Sequence, residues 1–159
     1  MEQQGKQRAA RRRAMAGIVG GFALGLGVAA GAWAADTPAN LDGVTVVTAE
    51  QAKKMQDKGV PLIDARVASE YAEKTVKGAI SVPYNEKSAK DVKFDRKLDR
   101  FDLSKLPADK NASLVFFCNA GECWKSYKAS TVARDAGYKH VYWMRGGVPE
   151  WIAKGLPTQ

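Results

Sequence analysis

Two cysteines, Cys118 and Cys123, are the residues whose type and spacing could carry chemistry in this sequence of 159 residues. Cys118 directly follows the hydrophobic run 113–117, and a helix is predicted to begin at about Trp124. A sulfur between a strand end and a helix N-terminus faces backbone N–H groups that favour an anion. We therefore expect a thiolate with a lowered pKa and good nucleophilicity at Cys118. The alternative is a buried structural thiol, because cysteines at strand ends are often small core residues.

The loop after Cys118 should form the rest of the site. Gly121 would let the loop curl tightly, so that successive N–H groups point inward around a persulfide or an oxyanion. The single histidine, His140, precedes the last predicted strand and is interpreted as a surface residue rather than a base. One histidine and two cysteines cannot complete a four-ligand structural zinc site without carboxylates, so the sequence predicts no metal and no cofactor.

Strands and helices alternate along the chain and must position this loop. A capping box, in which Thr48 stands three residues before Gln51, opens the first helix, and Gly59 would end it. The predicted elements are strands 44–47, 60–64, 79–83, 113–117 and 141–144, and helices 48–58, 69–74, 124–136 and 149–154. This alternation predicts an α/β fold whose mostly parallel sheet carries helices on both faces. Sites of such sheets lie at the carboxyl ends of the strands, where Asp64 and Cys118 are expected.

A heavily charged stretch, residues 85–112, interrupts the alternation. Its charge run is typical of a solvated helix-and-loop insertion, and a docking surface for a partner is the alternative. Single apolar residues are expected to pack the insertion onto the domain: Val92, Phe94, Leu98, Phe101, Leu103 and Leu106.

The first residues have the pattern of an export signal. A basic segment ending at Arg13 precedes the uncharged residues 14–35, and Ala32-Trp33-Ala34 has the small residues of a cleavage site. We expect a signal peptide over residues 1–34, with an uncleaved membrane anchor over 14–35 as the alternative. A Pro/Asn/Gly-containing linker is predicted over 35–43. The folded part is thus predicted to be periplasmic or otherwise exported from a bacterium, and to contact a membrane only if 14–35 stays attached.

The formal net charge is +8, but much of the excess lies in the basic residues before Ala14. The remaining surface is mildly basic and mixed, so we predict no nucleic-acid partner.

Three separated stretches between about residues 44 and 157 resemble a single-domain rhodanese, a family of sulfurtransferases. The first contains Leu62-Ile63-Asp64-Ala65-Arg66, Glu70-Tyr71 and the segment from Lys77 to Pro83. The second is Val115-Phe116-Phe117-Cys118-Asn119-Ala120-Gly121. The third runs from Ala136-Gly137-Tyr138 through Arg145-Gly146-Gly147 to Trp151 and Gly155-Leu156-Pro157. This resemblance implies the three-layer rhodanese fold over 44–157.

The resemblance also implies an activity. Cys118 would take the outer sulfur of a donor such as thiosulfate, hold it as a persulfide and pass it to a thiol or cyanide. The active loop that binds the substrate would comprise Asn119, Ala120, Gly121, Glu122, Cys123, Trp124 and Lys125. Asp64, Arg66 and Arg145 would support the loop rather than react.

The loop departs from the usual family pattern in two ways. Cys123 followed by Trp124 resembles an exported rhodanese-like subgroup, some members of which accompany periplasmic quinoprotein oxidation systems. Glu122 is unexpected beside a cradle for an anion, because a carboxylate repels thiosulfate. Lys125 could supply a compensating positive charge, or could be a solvated helix residue.

Cys123 opens a second hypothesis. Cys118 and Cys123 could form a disulfide across the loop, or Cys123 could resolve a persulfide or sulfenate on Cys118. The protein would then be a thiol–disulfide redox module with a periplasmic redox partner protein. Cys123 could also be a buried residue at a helix N-terminus.

Two further alternatives are a phosphatase-like loop and a binding domain without activity. The first is disfavoured because no arginine follows Cys118 before Arg134.

Overall fold

The computed structural model describes residues 35–159. Its centre is a five-stranded sheet with the strand order β1-β5-β4-β2-β3, and every neighbouring pair is parallel. The strands are β1 (Thr45–Val46), β2 (Leu62–Asp64), β3 (Ile80–Ser81), β4 (Ser113–Phe117) and β5 (His140–Met144). The helices are α1 (Ala49–Gln56), α2 (Ala68–Glu73), α3 (Trp124–Asp135) and α4 (Gly147–Ala153). The predicted α/β class and order of elements are confirmed.

The central strand β4 explains why helices lie on both faces of the sheet. Successive side chains of a strand point to opposite faces, and β4 is apolar at consecutive positions. Val115 and Phe117 pack in one buried cluster with residues of α1 and α4, including Ala52 and Trp151. Leu114 and Phe116 pack in a second cluster with Ala129 and Ala133 of α3. The sheet is therefore the middle layer of three.

Local signals fixed the start of α1. The Thr48 hydroxyl accepts a hydrogen bond from the Gln51 amide, and the Gln51 side chain accepts one from the Thr48 amide. This is the predicted capping box. Helix α4 begins two residues earlier than predicted, at Gly147, because Pro149 then lies in its first turn, where its missing N–H is not needed.

The charged insertion differs from its prediction. Residues 85–112 contain no α-helix, only the 3-10 turn Leu103–Lys105. Val92 and Leu98 are about half exposed, at 50% and 52%, so the expectation that they pack onto the domain is wrong. The other apolar residues of the set are wholly or partly buried on the face that α3 covers: Phe94, Phe101, Leu103 and Leu106.

Polar groups hold the insertion as well. Lys128 of α3 is fully buried, and its Nζ lies 2.8 Å from Glu86 Oε2, 2.8 Å from Ser88 Oγ and 3.7 Å from Asp99 Oδ2. We call Lys128, Glu86, Ser88 and Asp99 the anchor cluster. The few buried polar residues of this charged segment thus hold it against α3, while its other charged residues stay solvated.

The segment 35–43, expected to be a linker, packs against the domain. Thr37 and Leu41 are buried. The Thr37 amide and hydroxyl both donate to the carbonyl oxygen of Gly121, each at 2.8 Å. These bonds satisfy polar groups that a free linker would leave to water.

The predicted signal peptide, residues 1–34, lies outside the described residues. Within residues 35–159, the structure has no helix with the length and apolar character needed to cross a membrane.

Candidate active site

Cys118 lies at the carboxyl end of β4, with its sulfur turned into the protein. The residue is only 1% exposed. Its thiol donates to the carbonyl oxygen of Cys123 at 3.1 Å. The Cys118 sulfur also lies 2.9 Å from the hydroxyl of Ser126 and 3.4 Å from the Ser126 amide. Ser126, in the first turn of α3, therefore supplies two donors to the sulfur.

The direction of the hydrogen bond between Ser126 and Cys118 follows from the other partners of these two residues. The indole N–H of Trp143 lies 2.9 Å from Ser126 Oγ, and an indole nitrogen can only donate. Ser126 Oγ accepts that bond. Because the single proton of the Cys118 thiol is donated to the Cys123 carbonyl oxygen, the Ser126 hydroxyl donates its own proton to the Cys118 sulfur. The sequence pattern did not indicate Ser126 or Trp143 as residues of the site. The signal that could have identified Ser126 is its position in the first turn of the helix that follows the cysteine.

The predicted lowering of the Cys118 pKa is wrong. Burial raises the pKa of Cys118, and the interaction with the Cys123 thiol raises it further. The two hydrogen bonds from Ser126 lower it, but less. The sequence correctly suggested a helix N-terminus next to the cysteine, yet it could not show that the sulfur lies beneath the loop, away from water.

The activated thiol is Cys123. This residue precedes α3 as its N-cap and is partly exposed. The neighbouring Cys118 side chain lowers the pKa of Cys123 to about 6, against the effect of burial. The backbone N–H groups of Asn119 and Lys125 and the charge of Lys125 lower it as well. The loop amides that we expected around Cys118 thus surround the second sulfur. Both cysteines are free thiols in this structure.

Two close approaches shape the loop. Ala120 has a φ of +46°, the left-handed conformation we expected a glycine to provide. A Cβ at Gly121 would lie 2.8 Å from the guanidinium of Arg145, so a larger residue there would displace that side chain. Gly147 has a φ of +58°, and a Cβ there would lie 2.1 Å from the Cys118 carbonyl oxygen. That oxygen accepts from the Val148 amide at 3.0 Å.

Arg145 connects the loop to the N-terminal segment. Its guanidinium donates to the carbonyl oxygen of Thr37 at 2.7 Å and to that of Pro38 at 3.1 Å. The indole N–H of Trp124 donates to the Ala35 carbonyl oxygen at 2.8 Å. Residues 35–38 therefore form a strap across the active loop.

Asp64 and Arg66 form a buried ion pair beside the loop, 2.7 Å apart. Asp64 also accepts from the Thr75 hydroxyl at 2.7 Å. Arg66 Nη1 lies 3.5 Å from Asn119 Oδ1, and the Asn119 amide group donates to the Glu70 carboxylate. The ion pair contacts the loop through Asn119 and touches neither sulfur, which corresponds to the supporting position that the resemblance implied.

A cavity of about 280 Å³ opens over the loop. Cys123 is the cysteine in its wall, and Cys118 is not part of it. The wall consists of Glu70, Glu86, Lys90, Asn119, Glu122, Cys123, Trp124 and Lys125. Two ammonium groups and three carboxylates face one another there, so Glu122 is one of several acids at the entrance. A larger cavity of about 620 Å³ beside β3 contains no cysteine and offers no comparable chemistry.

Comparison of this chain with known sequences identifies a protein family. Residues 48–154 match the family model of the rhodanese-like domain. The chain is 30% identical over 113 residues to an HTH-type transcriptional regulator of Mycobacterium tuberculosis, covering 71% of this chain and 43% of that protein. It is also 30% identical over 79 residues to the thiosulfate sulfurtransferase PspE of Escherichia coli, covering 50% of this chain and 62% of that protein. The chain therefore spans less than two thirds of either relative.

Solved structures share the fold. A thiosulfate sulfurtransferase from Pseudomonas aeruginosa superimposes with a TM-score of 0.54 at 21% identity, over 73% of this chain and 20% of that one. The polysulfide-sulfur transferase homodimer from Wolinella succinogenes gives 0.53 at 22% identity, over 74% and 79%. The family match covers most of the described residues and ends, like the sheet and its helices, near α4. We conclude that this chain belongs to the rhodanese-like domain family.

Proposed function

We propose that the protein is a sulfurtransferase that holds sulfane sulfur as a persulfide on Cys118, between a small donor such as thiosulfate and a thiol or cyanide acceptor. A thiolate attacks the outer sulfur of the donor, and the S–S bond of thiosulfate breaks, with sulfite leaving as an anion. An acceptor thiolate later attacks the outer sulfur of the persulfide, and the cysteine leaves as a thiolate. Neither step changes the net redox state or requires a cofactor.

The observation that carries this proposal is the pair of interacting thiols at the carboxyl end of β4. Ser126 directs two donors at the Cys118 sulfur, and such donors stabilise a negatively charged sulfur. Lys125 and Lys90 in the cavity wall provide positive charge for an anionic donor. Family membership and the name of one relative, the thiosulfate sulfurtransferase PspE, support the same reaction class.

The second candidate is a thiol–disulfide redox module. The contact between the Cys118 thiol and Cys123, together with the lowered pKa of Cys123, favours it. In that function the two thiols would lose two protons and two electrons to a disulfide-bearing partner protein and form one intraloop disulfide.

The proposed setting is the periplasm of a bacterium, with export directed by residues 1–34. Thiols in the periplasm tend to be oxidised to disulfides, which suits the second candidate function. The proposed partners are a small sulfur donor, a thiol acceptor and, for the second candidate, a periplasmic redox protein, with no nucleic acid involved.

Intact mass spectrometry of the purified protein after incubation with thiosulfate tests the proposal. We expect a gain of one sulfur atom that cyanide removes. Alkylation followed by cleavage after glutamate should place the stored sulfur on Cys118, because Glu122 separates the two cysteines. The Cys118→Ser variant should retain no stored sulfur, and a Cys118→Ser/Cys123→Ser double variant serves as the blank.

A loss of two protons that requires both cysteines, without any gain of sulfur, would identify the redox module instead. If neither incubation with thiosulfate nor incubation with an oxidant changes the mass, the protein would be a binding domain without activity.

A further inference from the structure

We propose that Cys123 is the thiol that exchanges sulfur with the cavity, and that Cys118 is the buried store behind it. Sulfane sulfur would enter on Cys123, pass to Cys118 and leave again by way of Cys123. This inference rests on the proposed sulfurtransferase function and gives the second cysteine a catalytic role in it.

Access is the first argument. A donor in the cavity meets Cys123, which lines the wall, whereas Cys118 is 1% exposed and not part of the wall. The Cys118 sulfur is enclosed by the Cys123 carbonyl and by the amide and hydroxyl of Ser126. An attack by Cys118 on a donor would require the loop to open. An attack by Cys123 requires no such movement.

The second argument is the state of each sulfur near neutral pH. The pKa of Cys123 is lowered to about 6 by the neighbouring Cys118 side chain, by the amides of Asn119 and Lys125 and by the Lys125 charge, so this sulfur is mostly thiolate. Burial keeps the pKa of Cys118 above its usual range, so that sulfur is mostly protonated. The thiolate is the nucleophile in sulfur exchange.

The third argument concerns the direction of transfer between the cysteines. A thiol of higher pKa is the stronger nucleophile once ionised, and a thiol of lower pKa is the better leaving group. Attack of Cys118 on the outer sulfur of a Cys123 persulfide is therefore favoured over the reverse. The Cys118–sulfur bond forms, the Cys123–sulfur bond breaks, Cys123 leaves as a thiolate, and the Cys118 proton moves to the outer sulfur.

Storage on Cys118 then protects the persulfide. The buried sulfur is shielded from water and from stray nucleophiles by the loop, and Ser126 keeps two donors beside it. Unloading reverses the same steps, since an acceptor thiolate in the cavity attacks the outer sulfur once it has returned to Cys123.

Rapid mixing of the full chain with thiosulfate, followed by alkylation and cleavage after Glu122, tests the order of events. In the parent protein we expect labelled persulfide on Cys123 first and on Cys118 later. In Cys123→Ser, loading of Cys118 at pH 7 should slow by at least about tenfold, because the remaining thiol has a raised pKa and is mostly protonated, whereas the thiol that was removed has a pKa of about 6.

The pH profile separates a chemical role from a structural one. The parent loading rate should level off above about pH 7, whereas the Cys123→Ser rate should keep rising beyond pH 9. Lys125→Gln keeps both sulfurs but removes one cause of the lowered Cys123 pKa, so its profile should move to higher pH. Serine is a good helix N-cap, so Cys123→Ser should fold, which circular dichroism checks.

Loading of Cys123→Ser at the parental rate, or earlier labelling of Cys118 in the parent, would overturn the relay and leave the sulfurtransferase function intact. A parent protein that never gains sulfur would overturn both.

Discussion

The active loop, residues 118–126, and the anchor cluster, Lys128 with Glu86, Ser88 and Asp99, both bury ionisable groups against α3, yet they differ in how those groups are balanced. In the loop, two thiols interact and shift each other's pKa in opposite directions. In the anchor cluster, one lysine faces two carboxylates and a hydroxyl, all within 4 Å. One side of the loop lines a cavity, whereas Lys128 is fully buried and has no contact with solvent.

The difference shows what makes a buried ionisable group reactive. A charge whose partners are complete is held in one protonation state and contributes to structure. A group with an incomplete set of partners and an open side can change its protonation and its bonds. Glu86 connects the two regions, because it lines the cavity over the loop and pairs with Lys128 in the anchor cluster.

Lys128→Met should have the largest effect and would break the anchor cluster. Removing the ammonium leaves the carboxylates of Glu86 and Asp99 buried without their cation, which costs about 3–5 kcal/mol. Urea unfolding measures the loss. Lys54→Met on the exposed side of α1 is the matched control and should change the free energy of unfolding by less than about 0.5 kcal/mol. Equal changes in the free energy of unfolding for the two substitutions would show that the anchor cluster does not stabilise the fold.

Asp99→Asn should come next and carries a pH signature. Although burial opposes its ionisation, hydrogen bonds from Ser88 and the Lys87 amide lower the pKa of Asp99 to about 2. The folded pKa lies below the unfolded value of about 3.9, so the stabilisation is present above pH 4 and is lost as the pH falls towards 2.

At pH 7 the variant should be about 2 kcal/mol less stable than the parent, because bonds to a charged acceptor are lost. That gap should close between pH 4 and pH 2 in unfolding measured across the acid range. Parallel stability curves for the two proteins would contradict the assignment.

Ser126→Ala should have the smallest effect and sharpens the comparison on the loop side. It removes the hydroxyl bond to Cys118 and leaves the Trp143 indole N–H without its acceptor. We expect a loss of about 1–2 kcal/mol in stability and about tenfold slower sulfur transfer, measured by single-turnover loading with thiosulfate. Ser130→Ala on the same helix is the control, since its buried hydroxyl has no hydrogen-bond partner among residues 35–159. Equal rates in the two variants would remove Ser126 from the site.

Much of the fold was predictable because its signals are local. The apolar run of β4, the capping box at Thr48 and Gln51, and the glycine after α3 each mark an element by short-range physics. The insertion was harder to predict. Its apolar residues are isolated, and only the buried position of Lys128 shows which acids of the charge run are drawn inward.

The site divides in the same way. Residue types and their order determined that Cys118 follows a buried strand, that Cys123 begins a helix and that the chain resembles a rhodanese. Tertiary structure decided which sulfur the loop amides surround, which one is covered and which one faces the cavity. The reason is that the pKa of a thiol depends on burial and on donors brought from distant parts of the chain, such as Trp143 acting through Ser126. Spacing along a sequence specifies the neighbours of a residue, but only packing specifies its exposure to water.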